Sequence, residues 1–209
     1  MEFLKEACVE SLNQAVRAQG LNADRIEICK RLDLDGITPN HDIIIRAINT
    51  LKVPVKIMIR PREGNFIYTQ EEFKKMISQI KFCKSIGVSE VVFGALTNTG
   101  EIDVNLVARM AEFSHPMRVT FHKAIDYSKD ILNGIEALCK ISNITSILTS
   151  GGKKSVLDAK SLLRKIISEF SAEINIIVAG KITNLNLKKV HEEIGATEYH
   201  GKRIVGKLI

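Results

Sequence analysis

The sequence predicts an α/β protein built as a short (β/α)8 TIM barrel with an incomplete eighth helix, and three observations lead there. Strand-like runs alternate with helix-like runs, eight of the first and seven of the second, which is the order of a parallel sheet joined by crossover helices. The strand-like runs keep a polar face, carried by Glu6, Glu27, Lys56, Arg60, Thr120, His122, Thr149 and His200. An open doubly wound sheet, covered on both sides, reads instead as continuous hydrophobic runs. Closure into a barrel puts the polar face inside and the aliphatic face under the helices. Finally, 209 residues is at the short end for such a barrel, and residues 202–209 are too few for a full eighth helix.

Residues 3–9 alternate Phe3, Lys5, Ala7 and Val9 against Leu4, Glu6 and Cys8, and Ser11 caps a helix over 12–19 that Gly20 closes. The second strand, 24–29, sets Glu27 and Cys29 on one face and Ile26 and Ile28 on the other. The triplets Glu6-Ala-Cys8 and Glu27-Ile-Cys29 therefore end consecutive strands with the same Glu-x-Cys pattern. A loop over 33–40, punctuated by Asp35-Gly36 and Pro39, leads to a helix at 43–51. The third strand, 53–60, turns Val55, Ile57 and Ile59 to one face and Lys56, Met58 and Arg60 to the other. Pro61 cannot donate to a ladder and ends it, so Arg60 and Arg62 leave its carboxyl end as a fork for a carboxylate or phosphate.

Thr69 and Glu72 have the spacing of a capping box, and Phe73, Met76, Ile77, Ile80 and Cys83 give the stripe of a helix that stops at Gly87. Residues 90–94 make a short buried fourth strand, Thr97-Asn98-Thr99-Gly100 turns the chain, and Asp103 caps a helix through Phe113. The fifth strand, 118–122, opposes Val119 and Phe121 to Thr120 and His122 and is followed by a helix at 129–141. The sixth, 145–149, runs into Ser150-Gly151-Gly152; a helix at 155–170 then leads to a strand at 174–178 and to Ala179-Gly180. A helix at 185–194 closed by Gly195 and a strand at 197–200 complete the order.

At 45% hydrophobic and 26% charged residues, the chain suits one domain over residues 1–209 with its own core. It has no run of about 18 apolar residues, and Met1 leads into a strand-like pattern rather than a secretory signal, so the expectation is a cytoplasmic protein with no membrane partner. The net charge of +6 is scattered over helix-like segments, which argues against a nucleic-acid surface and leaves a mild bias toward anionic ligands. Cys8, Cys29, Cys83 and Cys139 lack the spacing of a disulfide framework or a zinc site, and Cys83 and Cys139 lie on apolar stripes as core filler.

The working face of a barrel is the rim at the carboxyl ends of its strands. Cys8 and Cys29, at matching ends of strands roughly 4.8 Å apart, bring two sulfurs close, the soft ligand set of Cu(I), unless they are simply small buried hydrophobes. Arg60 and Arg62 clamp a small anion on a functional reading, or form surface ion pairs on the plainer one. Glu27 or Asp126 is then a general base, and His122, oriented by Asp126, an acid or electrophile. Ser150, Gly151, Gly152 and Gly180 offer backbone N–H groups to a phosphate or serve as turns, and His200 joins the substrate-binding set at the same rim.

Residues 56–68 (KIMIRPREGNFIY) resemble the M-I-R-P-R-x-G-x-F-x-Y motif of the CutC family, residues 119–126 (VTFHKAID) resemble its V-T-F-H-R-A-F-D, and residues 148–152 read LTSGG. Asp24-Arg-Ile-Glu-Ile-Cys29 with Gly36-Ile-Thr-Pro39, and Val92-Phe-Gly-Ala-Leu96 with Gly100-Glu-Ile-Asp103, extend the resemblance over nearly the whole chain. The resemblance implies a (β/α)8 barrel, a cytosolic location, a homodimer or homotetramer, and copper handling with Cu(I) held by the cysteines at positions 8 and 29. The chain departs from the family pattern at Ala179-Gly180-Lys181, where a glycine-rich run is usual, at Gly201 in place of a serine, and at Lys123 in place of an arginine. Two functional expectations result: a Cu(I)-binding homeostasis protein, and an isomerase- or lyase-type enzyme acting on a small anionic metabolite. No organic cofactor is indicated.

Overall fold

The computed structural model describes residues 3–208. Eight parallel strands close in chain order into a barrel: Leu4–Val9 (β1), Arg25–Ile28 (β2), Val55–Met58 (β3), Glu90–Phe93 (β4), Arg118–Phe121 (β5), Ile144–Thr149 (β6), Asn175–Val178 (β7) and Glu198–Gly201 (β8), with β8 paired back onto β1. Around it lie the helices Leu12–Gly20 (α1), His41–Thr50 (α2), Gln70–Ser85 (α3), Val104–Ser114 (α4), Ile131–Cys139 (α5), Lys160–Phe170 (α6) and Leu187–Ile194 (α7). No helix follows β8 among the described residues; the tail is held by the Thr183–Arg203 bridge, by buried Ile204, and by Arg17 donating to the Lys207 carbonyl at 3.1 Å. Among the described residues no helix is long and apolar enough to cross a membrane.

The expected caps form. Ser11 accepts from the Gln14 amide, Asp103 from Leu106, and Thr69 with Glu72 completes both halves of the capping box, satisfying amides that have no partner inside the helix. Of the boundaries that differ, four do so for evident local reasons. The chain turns after α1 at Asn22 (φ 62°) rather than at Gly20. Asp130 caps α5, and residues 123–127 before it form a 3-10 turn that periodicity did not indicate. The run over 155–170 starts as a 3-10 turn because the Val156 amide donates to the Gly180 carbonyl. The last helix starts two residues late because the Asn186 carboxamide is bound to the Thr183 amide and the Lys181 carbonyl, leaving Leu185 90% exposed.

The aliphatic face lies where expected. Ile26, Ile28, Ile57, Ile59, Val91, Phe93, Val119 and Phe121 are fully buried under the helices, each contributing about 1.5–3 kcal/mol on burial. The inner face needs one correction. Thr149 belongs to the outer side, with Ile147, and the inner wall of β6 and β7 is a separate apolar cluster of Leu148, Ile177 and Ala179. One layer of the interior is charged. Lys56 Nζ is fully buried and meets Glu6 Oε2 at 3.1 Å, Glu90 Oε1 at 2.8 Å and Thr120 Oγ1 at 2.7 Å, while Arg25 bonds Glu6 and reaches Glu198 at 2.5 Å. A charge taken out of water has to be compensated locally. Burial alone would raise the Glu6 carboxyl, and Lys56 and Arg25 outweigh it, holding it well below the usual carboxylate range.

Candidate functional site

The carboxyl ends of the strands open into a cleft of about 1400 Å³. Of the residues singled out from sequence, Cys8, Glu27, Arg60, His122, Gly180 and His200 line it, and Cys29 is fully buried beside Cys8. Arg62, Asp126, Ser150, Gly151 and Gly152 do not line it.

The two Glu-x-Cys triplets are staggered rather than level. Strands in a closed barrel are sheared past one another, so Cys8 pairs in register with Glu27, and Glu6 with Arg25. The stagger builds a compact cluster: Cys8 Sγ and Cys29 Sγ are 3.7 Å apart, and Glu27 Oε1 accepts from Cys29 at 3.0 Å and from Cys8 at 3.6 Å. His200 completes it; one ligand atom each from Cys8, Glu27 and His200 fall within 4.8 Å of one another. Glu6 Oε1 lies 2.7 Å from His200 Nδ1, which fixes the ring and leaves Nε2 for the cluster. The Cys29 thiol beside it holds Cys8 below the usual thiol range, against burial, while the same contact and burial push Cys29 well up. Burial disfavours charge on His200, but its hydrogen bonds to Cys8 and Glu6 win and raise it well above the ordinary value. Buried Leu32, Met58 and Val92 wall this cluster.

The arginine fork does not form. Arg60 is nine-tenths buried, and its guanidinium donates to the carbonyls of Leu34 and Gly36 at 3.0 Å and of Gly64 at 2.9 Å. Arg62 turns away to Glu72 at 2.5 Å, Asn65 Oδ1 at 3.0 Å and the Ile67 carbonyl at 2.7 Å. It braces the 61–69 loop against the start of α3, so only Arg60 faces the cleft.

Asp126 likewise has another partner than expected. Its carboxylate accepts from Thr149 Oγ1 at 2.5 Å, Ser150 N at 2.9 Å, Ser150 Oγ at 2.7 Å and Gly152 N at 3.1 Å, and Gly151 N donates to Thr149 Oγ1 at 2.9 Å. The amides of Ser150-Gly151-Gly152 are thus occupied by the protein's own side chains, and a phosphate there would meet a carboxylate. Asp126→Asn should cost about 1–3 kcal/mol, the penalty for loosening buried donors. Hydrogen exchange at the Ser150 and Gly152 amides should rise with it; unchanged protection would contradict the anchoring role.

His122 is oriented by backbone, not by Asp126. Nδ1 accepts from the Ala124 amide at 3.2 Å, so the ring hydrogen sits on Nε2. Burial, then the charge of Arg60, lowers its pKa to about 3. A methyl group at Gly94 would lie 2.6 Å from His122 Nδ1, so the strand end before it has to be glycine for the imidazole to pack. Because His122 stays neutral when folded and protonates near 6.5 when unfolded, the unfolded state binds the extra proton between those values. Stability should therefore fall as pH drops below about 6.5, by up to about 1.4 kcal/mol per unit from this group. Urea midpoints of the wild type should drop more steeply than those of His122→Gln over that range; parallel curves would contradict it.

Sequence patterning assigns no site role to Met58, Phe66 or Tyr68, and puts Glu6 on the polar face at the rim without giving it a partner. Phe66 and Tyr68 lie in an aperiodic loop that reads only as a connection, yet the Phe66 ring sits 4.8 Å from the Arg60 guanidinium and 4.9 Å from the His122 ring. Their spacing within residues 56–68 was the available signal. Glu6 acts through His200, a pairing across the β8–β1 closure that adjacency in the chain cannot reveal.

A family model described as the CutC family matches residues 3–205. The human copper homeostasis protein cutC homolog is 37% identical over 198 residues, covering 95% of this chain and 72% of that protein. A family protein CutC from Pasteurella multocida is 31% identical, covering 93% and 80%. The crystal structure of a CutC protein from Streptococcus agalactiae, named for copper homeostasis, superposes with a TM-score of 0.92 at 28% identity and covers 97% of this chain and 99% of its own.

Proposed function

The chain belongs to the CutC family, and from that premise we propose that it is a copper homeostasis protein that binds Cu(I) in the cytosol as a single barrel domain over residues 1–209. The observation that carries this reading is the pair of sulfurs, Cys8 and Cys29, 3.7 Å apart at the wall of the cleft with Glu27 and His200 against them. Copper is cargo here rather than a resident cofactor. Thiolates are soft donors that select Cu(I) over harder cations, and the ligands have to lose their protons on binding. Glu27 Oε1 already faces both S–H groups, and Oε2 is buried with no partner among the described residues, so this carboxylate is the first acceptor for a displaced thiol proton. His200, steered by Glu6, supplies a third donor through Nε2 once the metal displaces the proton that its raised pKa keeps on the ring. Leu32, Met58 and Val92 keep water from the sulfurs.

Anaerobic titration against a chromogenic Cu(I) chelator tests the proposal. One tightly held Cu(I) per chain is expected, and complete retention of copper by the chelator would overturn it. A homodimer or homotetramer accompanies this reading. A side groove lined by Phe3, Leu21, Leu187, Ile204 and Val205 marks the edge that lacks an eighth helix, and a second copy would bury it. Sedimentation should show an oligomer; a strict monomer would remove this part.

A further inference from the structure

At the same mouth as the sulfurs, three buried donors have no role in holding copper. Arg60 Nε, the Tyr68 hydroxyl and His122 Nε2 are buried without a hydrogen-bond partner among the described residues. Each such group costs about 1–3 kcal/mol when left unpaired, so three around one arginine need an explanation. The Arg60 guanidinium cannot swing away to find partners, because three loop carbonyls hold its other two nitrogens. The Phe66 ring lies 4.8 Å from the Arg60 guanidinium and 4.9 Å from the His122 ring, and Tyr68 follows two residues later in the same loop, where the Arg60 charge opposes the effect of burial on its hydroxyl. Burial raises the Tyr68 pKa to about 12, so the phenol keeps its proton, and the Ala124 amide on Nδ1 leaves the His122 hydrogen on Nε2. The group therefore presents three donors and a fixed positive charge, with the phenol oxygen its one weak acceptor, which suits neither a cation nor a thiophilic metal. Phe66 packs against Arg60 and His122 and shields them from water, where charge-assisted hydrogen bonds are strongest.

We propose that Arg60, Tyr68 and His122 cradle the oxyanion head of a small organic metabolite, a carboxylate or a phosphate, whose remainder lies in the cleft beside the thiol cluster. Phe66, packed on both Arg60 and His122, forms one wall of the cradle. Lys123, Lys154, Lys181, Lys202 and Arg203 line the same cleft and with Arg60 outnumber its acids Glu27, Asp33, Asp35 and Glu63, a net positive lining that favours an anion. The cradle is independent of copper binding.

Calorimetric titration of the metal-free full-length chain with oxalate and with inorganic phosphate tests it. Saturable one-site binding of either probe is expected; oxalate alone identifies a carboxylate head and phosphate alone a phosphate head. Tyr68→Phe removes only the orphaned hydroxyl, so the free protein should be as stable as the wild type or more so while the affinity falls about tenfold. His122→Leu should weaken binding similarly, and Cys8→Ser with Cys29→Ser should leave it unchanged. Binding of neither probe, wild-type affinity in both Tyr68→Phe and His122→Leu, or loss of binding in the double serine variant would overturn the proposal.

Discussion

Lys56→Met is expected to lower the free energy of unfolding by about 3–5 kcal/mol, the range for removing one partner from a buried ion cluster. The lysine is fully buried and touches Glu6, Glu90 and Thr120 at once, so its loss leaves Glu90 facing Thr120 and the edge of Arg118, and Glu6 facing only Arg25 and His200. Against a total stability of about 5–15 kcal/mol for a domain, that is a large fraction. Urea denaturation of the variant measures it. Adding Glu90→Gln should recover part of the loss, because the uncompensated carboxylate and not the missing volume carries most of the penalty. A loss below about 1 kcal/mol would mean that the interior charges are better solvated than the geometry implies.

The second large effect concerns copper. Cys8→Ser with Cys29→Ser should weaken Cu(I) binding by well over 100-fold, since losing even an outer hydrogen-bond partner of a metal ligand costs roughly 10–100-fold. The smaller figure should apply to Glu6→Gln, which leaves every proposed ligand in place and removes only the anion that orients His200. Serine is nearly isosteric with cysteine, so the barrel should stay folded and circular dichroism should not change. Equal affinity in wild type and double variant would place the metal elsewhere.

Much of the barrel was legible because strands with one charged and one aliphatic face have few alternatives to closure. Ile26, Ile57, Val119 and Phe121 sit on the outer side as their alternation indicates. Thr149 was misassigned because the sixth strand, Ile-Thr-Ser-Ile-Leu-Thr, is apolar and polar on both faces, and only contact with Asp126 reveals which way it points. The site was legible in its membership and less so in its pairings. Cys8 and Cys29 meet because neighbouring strands bring their ends together, which sequence order indicates. That Asp126 serves Ser150 and Gly152, that Arg62 serves Glu72, and that His200 rather than Glu6 faces Cys8 depend on the 3-10 turn, the loop path and the shear of the barrel, none of which leaves a periodic trace.

These features give the mouth two unlike groups of side chains. One presents thiols, a carboxylate and an imidazole behind Met58 and Val92; the other presents a fixed guanidinium, a phenol and a neutral imidazole beneath Phe66. A single open rim holding both would let a small anion and a copper ion occupy the cleft together.

Copper K-edge X-ray absorption on the anaerobically loaded protein reads the coordination directly. A first shell dominated by two sulfurs, with a nitrogen contribution that disappears in His200→Ala, is the expected result. A shell of nitrogen and oxygen alone, or a sulfur signal that persists in the Cys8→Ser and Cys29→Ser double variant, would contradict Cu(I) binding at this cluster.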